Sequence, residues 1–434
     1  MKILVVSQYW TPENGVPQRR WSWLSKHLVQ SGHEVLVLAP QPHYERDVSF
    51  KEWCRQRLYR SARNPVQGEC GEQVLRTGFL PAGRGISGKA LNQVAVSTIQ
   101  MLIPLRNRNV IKNFSPDIVV GTVPSIPTAF VAYVFGKKLG VPYVIDLRDA
   151  WPDLLRSVEK WNDAVGEKSF RQKILESGPL QAVVRIAKRL LNWVIDEADG
   201  LLVTSSYLGN SIEARQSAQK SHRAPTILTL RNVFPPETQY VRRETKDASS
   251  SLNVLYAGTL GRAQDLANVI SAASICQRKG VDVRLRFAGA GAARKQLAEL
   301  AKESALEVEF IPRQKAHDLE DLYRWADTAL VHLADWPDLR MTVPSKTYEL
   351  MDARIHITAV AQGETADLVR DFCAGNVARP GDPEALAQLW ADLRNSPSQL
   401  SIGEKGQEWV QRERSKAPEA LEEFLKSIVA LSRS

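Results

Sequence analysis

Four cysteines in 434 residues, Cys54, Cys70, Cys276 and Cys373, are scattered with neither metal nor redox spacing. That scarcity argues against a disulfide framework and for a reducing compartment. The seven histidines, His43, His317, His332 and His356 among them, form no metal-ligand pattern, so no metal site is expected. No stretch approaches the ~18 consecutive apolar residues of a membrane span. The apolar start Met1–Ser7 is too brief for a signal peptide and reads as a buried first strand. No G-x-G-x-x-G follows that strand, which disfavours an NAD-linked oxidoreductase. Solenoid repeats and low-complexity tracts are also missing.

What is present belongs to a globular protein, with 44% apolar and 24% charged residues over a length that suggests two domains. The charge is unevenly spread. Residues 1–112 hold 16 Lys/Arg against 7 Asp/Glu, which accounts for the whole net charge of +9. Arg55, Arg57, Arg60 and Arg63 cluster there, and Lys89, Arg106, Arg108 and Lys112 flank the apolar series Leu91, Val94, Ile99, Leu102, Ile103 and Leu105. Nucleic acid and an anionic membrane are the partners such basicity admits. Charge flanking apolar residues, with no aromatic platform between, disfavours nucleic acid. The segment fits a helix ending near Pro104, with its apolar side either in lipid headgroups or packed on a sheet.

Apolar runs alternate with helical patterns, the signature of parallel α/β architecture. Strands are expected at Ile3–Val6, Val35–Ala39, Ile118–Gly121, Tyr143–Leu147 and Leu201–Thr204, and helices near Val16–Ser31, Pro127–Leu139 and Leu180–Ala198. Leu154–Ser177 is polar and reads as an inserted helical excursion. Leu228–Pro236 looks like a hinge and Arg242–Ser251 like a loop. A second series follows: strands Val254–Tyr256, Arg284–Ala288, Val308–Ile311 and Ala329–Leu333, and helices Asp265–Gln277, Ala292–Ser304 and Asp318–Ala326. Residues 1–230 and 231–417 are the expected domains, each doubly wound, with a terminal helix over 418–432. Ligands of such sheets bind at the carboxyl ends of the strands, so the cleft is the expected site.

Four segments suit that chemistry. In Val343–Asp352, Pro344 fits a first helical turn, Ser345 can cap it, and Lys346 and Glu349 share a face. Glu349 then lies near outward amides, where a carboxylate can take ribose hydroxyls while the amides hold phosphate. An ordinary capped surface helix has the same pattern. Gly258, Thr259 and Gly261 precede Arg262, a turn suited to a diphosphate or simply a solvated arginine. Gly289 and Gly291 follow a strand and admit either a ligand or close packing. Gly15 precedes a helix carrying Arg19 and Arg20, which suit an anionic acceptor, and Trp21 suits the core.

Taken in order, Asp146–Pro152, Tyr256–Gln264, Phe287–Gly291 and Val343–Asp352 resemble blocks of retaining glycosyltransferases of family 4. The likeness is to the branch of N-acetylfucosamine transferases of bacterial polysaccharide assembly. It covers most of the chain and is weakest over residues 45–115 and 155–195. It implies a GT-B fold, two Rossmann-like domains facing across a cleft, with the C-terminal helix crossing back to the first. It implies a nucleotide-diphosphate sugar as substrate, UDP-N-acetylhexosamine in type, and no cofactor. The implied acceptor is a glycan or lipid-linked sugar at the cytoplasmic face of a membrane. Gly258, Thr259, Gly261, Gly289, Gly291, Arg313, Ser345 and Glu349 would bind the nucleotide sugar, with Phe310–Arg313 reading the base. Arg262 and Lys346 would neutralise the leaving diphosphate.

The chain departs from relatives in places. Many have Arg at Thr259 and Lys near Gln264, and a second glycine at Val16. Glu349 matches the second Glu of the family's Glu-x7-Glu pattern, but Met341 stands at the first. Amides around Arg340–Val343 are then expected to hold the sugar. Arg148 stands where many relatives have His, and an arginine cannot share a proton. Arg148 is therefore expected to stabilise phosphate charge, with Asp149 as candidate base, unless the two form a structural ion pair. A GT-B-like nucleotide-sugar epimerase and a catalytically idle nucleotide-sugar-binding subunit are the rival functions.

Overall fold

The computed structural model describes residues 1–43, 48–81, 86–106, 108–123, 125–149, 179–218, 224–236, 251–314 and 318–433. Among these, the first half runs β1 (Lys2–Val6), α1 (Val16–Gln30), β2 (Glu34–Pro40), α2 (Phe50–Arg55), β3 (Val66–Gln67), β4 (Gln73–Thr77), α3 (Ile86–Arg106), α4 (Arg108–Phe114), β5 (Ile118–Val123), α5 (Pro127–Leu139), β6 (Tyr143–Leu147), α6 (Pro179–Asp196), β7 (Gly200–Val203), α7 (Ser206–Ala218) and β8 (Thr226–Thr229). The second half runs β9 (Leu252–Ala257), α8 (Ala267–Arg278), β10 (Val283–Ala288), α9 (Arg294–Glu303), β11 (Val308–Ile311), α10 (Leu319–Trp325), β12 (Thr328–His332), α11 (Ser345–Asp352), β13 (Ile357–Val360), α12 (Glu364–Asp371), β14 (Gly375–Ala378), α13 (Pro383–Asn395) and α14 (Lys405–Arg433). The expected excursion Leu154–Ser177 and residues 150–152 of the Asp146–Pro152 block lie outside the described residues.

The first sheet has the order β3-β4-β2-β1-β5-β6-β7-β8 and the second β11-β10-β9-β12-β13-β14. Pairings are parallel apart from the short β3–β4 hairpin. Strand order reverses beside β1 in one sheet and beside β9 in the other, which opens a crevice at the carboxyl ends there. Alternation along the strands splits the first core in two. Leu4, Val6, Leu36 and Leu38 face α3 to α6, and Ile3, Val5, Val35 and Val37 face α1 and the end of α14.

The carboxyl ends of the two sheets face each other. After β7, Ser205 Oγ donates to the Met341 carbonyl of the second domain at 2.5 Å. Leu333, Ala334 and Leu339 of the second domain extend the first domain's core. Helix α14 spans both domains. Val410 packs with the second core, and Leu421, Phe424, Leu425 and Ile428 pack with the first. It starts at Lys405 rather than Pro418, because buried Gly406, Val410 and Ala417 continue the packed face upstream and their burial outweighs the bond and the strain that one interior proline costs. Likewise α3 passes through Pro104 to Arg106.

Two histidines sit deep in the second domain. His332 pairs with Asn268 at 3.0 Å, and His356 contacts Thr328 Oγ1 and Asn376 Oδ1, each at 2.8 Å. Burial penalises their charged forms and lowers the pKa of His332 to about 3 and of His356 to about 4. The unfolded chain therefore takes up more protons below its ordinary histidine pKa, ~6.5, so stability is full above that pH and falls as pH drops through it. Each ring should cost about 2 kcal/mol between pH 7 and 5. Urea unfolding at the two pH values should show this loss, and His356→Asn should remove about 2 kcal/mol of it.

Candidate active site

In the second domain, the turn after β9 and the turn after β10 stack on each other. Gly258 and Leu260 amides donate to the Ala288 and Ala290 carbonyls at 2.9 and 3.0 Å. A Cβ at Gly289 would stand 1.8 Å from the Gly258 oxygen, and one at Gly291 would stand 2.1 Å from the Leu260 oxygen. Both glycines are thus accounted for by contact between the two turns. Tyr256 Oη donates to the Thr259 carbonyl at 2.8 Å and fixes the first turn from beneath. Gly261 then leads into a 3-10 turn, Arg262–Gln264. The Arg262 Nε is buried without a hydrogen-bond partner among the described residues. The turn abuts the loop before α11, where the Ala334 amide donates to the Ala263 carbonyl at 2.9 Å.

Helix α11 begins differently from expectation. Pro344 is its N-cap, in extended geometry with ψ 133, and Ser345 is the first helical residue without a capping bond. Ser345 does not cap, because a residue already inside the first turn cannot fold its hydroxyl over its own amides. Lys346 and Glu349 share a face as expected, and they meet there. Lys346 Nζ donates to Glu349 Oε2 at 2.9 Å and to Tyr323 Oη at 3.0 Å, and that phenol donates to Glu349 Oε1 at 3.1 Å. Burial first, and the neighbouring Glu349 second, push the Tyr323 phenol well above its ordinary pKa. Tyr323 escaped the sequence reading because it lies in α10, with no motif around it.

On the first-domain side, Asp146, next to last in β6, is fully buried. Its carboxylate takes Arg20 Nη2 at 3.0 Å and Trp21 Nε1 at 2.8 Å. Arg20 also donates to the Leu230 carbonyl at 2.9 Å and to Asn232 Oδ1 at 3.1 Å. With no exposed surface, Arg20 is a structural cation and not an acceptor contact. The sign was available in sequence, since Arg20, Leu24 and Leu28 share the buried face of α1. Arg148 has a different fate. It is buried, and its Nε and Nη1 have no partner among the described residues. Burial, helped by Arg20 and opposed by Asp146 and Asp149, lowers its pKa to about 10, so it stays charged at neutral pH. Burial raises the Asp149 carboxyl, and Arg148 partly offsets this.

Several side chains bridge the domains. Arg313 Nη2 donates to the Asn14 carbonyl at 2.5 Å, so the side chain at the end of the segment whose backbone is expected to read the base ties the two lips together. Gly15 is the N-cap of α1 beside that contact. Arg19 lies over the Phe234 ring at 4.7 Å and donates to the Pro235 carbonyl at 3.3 Å. Its charge also reaches Tyr323 across the cleft. Glu364, at the start of α12, accepts from the Ser206 and Tyr207 amides of α7 at 3.2 and 2.8 Å and pairs with Arg231. Burial would raise the Glu364 carboxyl, but Arg231 and these amides outweigh it and hold it low. The acidic first turn after Gly363 was the available signal for this contact.

Buried Arg20 and Arg148 should respond differently to removal of charge. Arg20→Leu leaves Asp146 uncompensated and should cost about 3–5 kcal/mol of stability. Arg148→Leu removes a desolvated cation with spare donors and should cost far less. Chemical denaturation of both variants checks the contrast.

Residues 15–226 match the family described as glycosyl transferase 4-like domain, and residues 239–412 match glycosyl transferases group 1. Over 405 residues the chain is 23% identical to WcaI of Escherichia coli (strain K12), named for glycosyl transfer in colanic acid biosynthesis, covering 91% of this chain and 92% of WcaI. Sucrose-phosphate synthase from Thermosynechococcus elongatus has a similar structure, with TM-score 0.65 at 14% identity over 100% of this chain and 99% of that one. Anabaena HepE, in a crystal structure with UDP-glucose, gives TM-score 0.63 at 15% identity over 98% of this chain and 100% of its own. At such identities these two structures speak for the fold, which is GT-B.

Proposed function

The chain is a glycosyltransferase of the GT4 type, with one of the two domain families in each half, and from that premise we propose the reaction it carries out. It moves a sugar, with retention, from a nucleotide-diphosphate sugar of the UDP-N-acetylhexosamine type to a lipid-linked or other glycan acceptor. The setting is assembly of a cell-surface polysaccharide, a reading supported by the naming of WcaI. The use of a UDP-sugar draws support from HepE.

The observation that carries the reading is the placement of cations around the cleft. Arg262, in the turn joined to Ala334, and Lys346, in the first turn of α11, stand on the second-domain side, while Arg19 and buried Arg148 stand on the other. A diphosphate is the ligand such a set best accommodates. As it binds, Lys346 turns from Glu349 to phosphate, and Glu349 becomes available to ribose hydroxyls. The acceptor oxygen bonds the anomeric carbon on the face that the diphosphate leaves. The bond from that carbon to the phosphate oxygen breaks, and the acceptor proton passes to the departing phosphate. Arg262 and Arg148 meet the charge as it grows, which lowers the barrier where it is highest. The chain's own cations carry this neutralisation. Asp149, whose carboxyl is raised by burial, is the second place for the acceptor proton.

The test is release of UDP from UDP-N-acetylhexosamines with and without a lipid-linked glycan acceptor. Acceptor-dependent release with a glycosylated product supports transfer. An altered sugar with no acceptor present would indicate an epimerase, and UDP binding with no turnover an idle subunit. Glu349→Ala should weaken UDP binding by about 1.5–3 kcal/mol in calorimetry, the value of a charge-assisted hydrogen bond. Asp149→Asn should lower turnover while UDP still binds, and an unchanged rate would remove Asp149 from the reaction.

A further inference from the structure

Helices α3, α5 and α6 form one layer on the first sheet, with α5 touching both others. The inner face of α6 is buried through Leu191, Val194 and Ile195, and that of α3 through Val96 and Ile103. Each helix nevertheless carries a second apolar row on its outer face. Ile186, Leu190 and Trp193 are spaced as one outward face of α6 and are 58%, 46% and 45% exposed. Leu91, Val94 and Leu102 do the same on α3 at 60%, 52% and 41%. Isolated exposed apolar residues are ordinary, but two aligned rows in one layer mark a binding surface.

The charges beside the rows are basic. Exposed Arg185 and Arg189 border the α6 row, and exposed Lys89 stands two residues before Leu91. At the far end of α6 the acidic groups are already paired, Asp196 with Arg215 at 2.9 Å and Glu197 with Lys137 at 3.8 Å. Trp193 packs edge-on to Tyr133 at 4.8 Å, and Lys137 lies over the Tyr133 ring at 5.7 Å. Aromatic rings beside cations suit the headgroup level of a bilayer. The side chains of Arg106 and Arg108 lie outside the described residues, so the basic partners here are those of α6 and Lys89. A second copy of this chain, meeting through this face in a two-fold contact, would put the basic residues of both copies into one interface.

We propose that the outer faces of α3 and α6 dock the first domain on an anionic lipid surface. The apolar rows enter the headgroup boundary, and the arginines meet lipid phosphates. Both helices begin at the carboxyl ends of strands, so their amino-terminal halves, Leu91 and Val94 with Arg185 and Ile186, lie toward the cleft. Docking therefore brings the cleft mouth to the surface. That it thereby meets a lipid-linked acceptor rests on the proposed transfer reaction, whereas docking itself does not.

Co-sedimentation of the full chain with phosphatidylcholine vesicles, with and without phosphatidylglycerol, tests this without turnover. Binding should require phosphatidylglycerol and weaken with salt. Arg185→Glu/Arg189→Glu and Ile186→Ser/Leu190→Ser should each lower partition by about tenfold or more, with unchanged circular dichroism. The charge reversal changes only exposed side chains, so it remains informative if the apolar variant folds poorly. Equal partition into both vesicle types, no partition, or partition unaffected by the charge reversal would overturn the proposal. So would loss of a lipid-free dimer in either variant, which would make the rows a contact between copies.

Discussion

The buried carboxylate of Asp146 organises the first half of the molecule. A lone charge there would be costly, and Arg20 and Trp21 of α1 offset the cost at 3.0 and 2.8 Å. Because Arg20 also takes the Leu230 carbonyl and the Asn232 side chain, the same pair fixes where the chain leaves the first sheet. Arg231 is then set to meet Glu364 of the second domain. With Asp146 committed to Arg20, Arg148 two residues on keeps its charge and has donors to spare. One ion pair thus separates a structural arginine from one able to meet a ligand.

Much of this architecture is legible in the sequence. Parallel strands buried on both faces are short apolar runs, and the runs from Ile3 to Leu333 fall on strands of the two sheets. The elements passed over were those with weaker patterns, such as β4 with Arg76 inside it and β14 with its Gly and Asn. The site was legible in part. Spacing alone places Lys346 and Glu349 together, since three residues of helix make them neighbours. Spacing says nothing of Tyr323, which arrives from another helix to join both. It also cannot tell whether a glycine faces a ligand or another turn, and Gly289 and Gly291 face a turn.

The electrostatics of the cleft follow from the same economy. Cations that are to meet a diphosphate, as in the proposed reaction, must be held in place beforehand without collapsing onto one another. Lys346 is held by a carboxylate and a phenol, Arg19 by an aromatic ring and a carbonyl, and Arg148 by burial. Each is fixed by a different kind of neighbour.

The chain passes between the domains twice, once through Leu230–Pro236 and once along α14. Arg414 of the helix donates to the Val233 carbonyl of the first crossing at 2.8 Å, so the two passages run side by side. Any change of angle between the domains must therefore bend both at nearly the same place. Within α14 that place holds Pro418, which lacks the N–H that would bind one turn back and is the weakest point of a 29-residue rod. The two crossings thus share one line of attachment, and the contacts of Ser205 with Met341 and of Arg313 with Asn14 would have to part before the domains could turn about it.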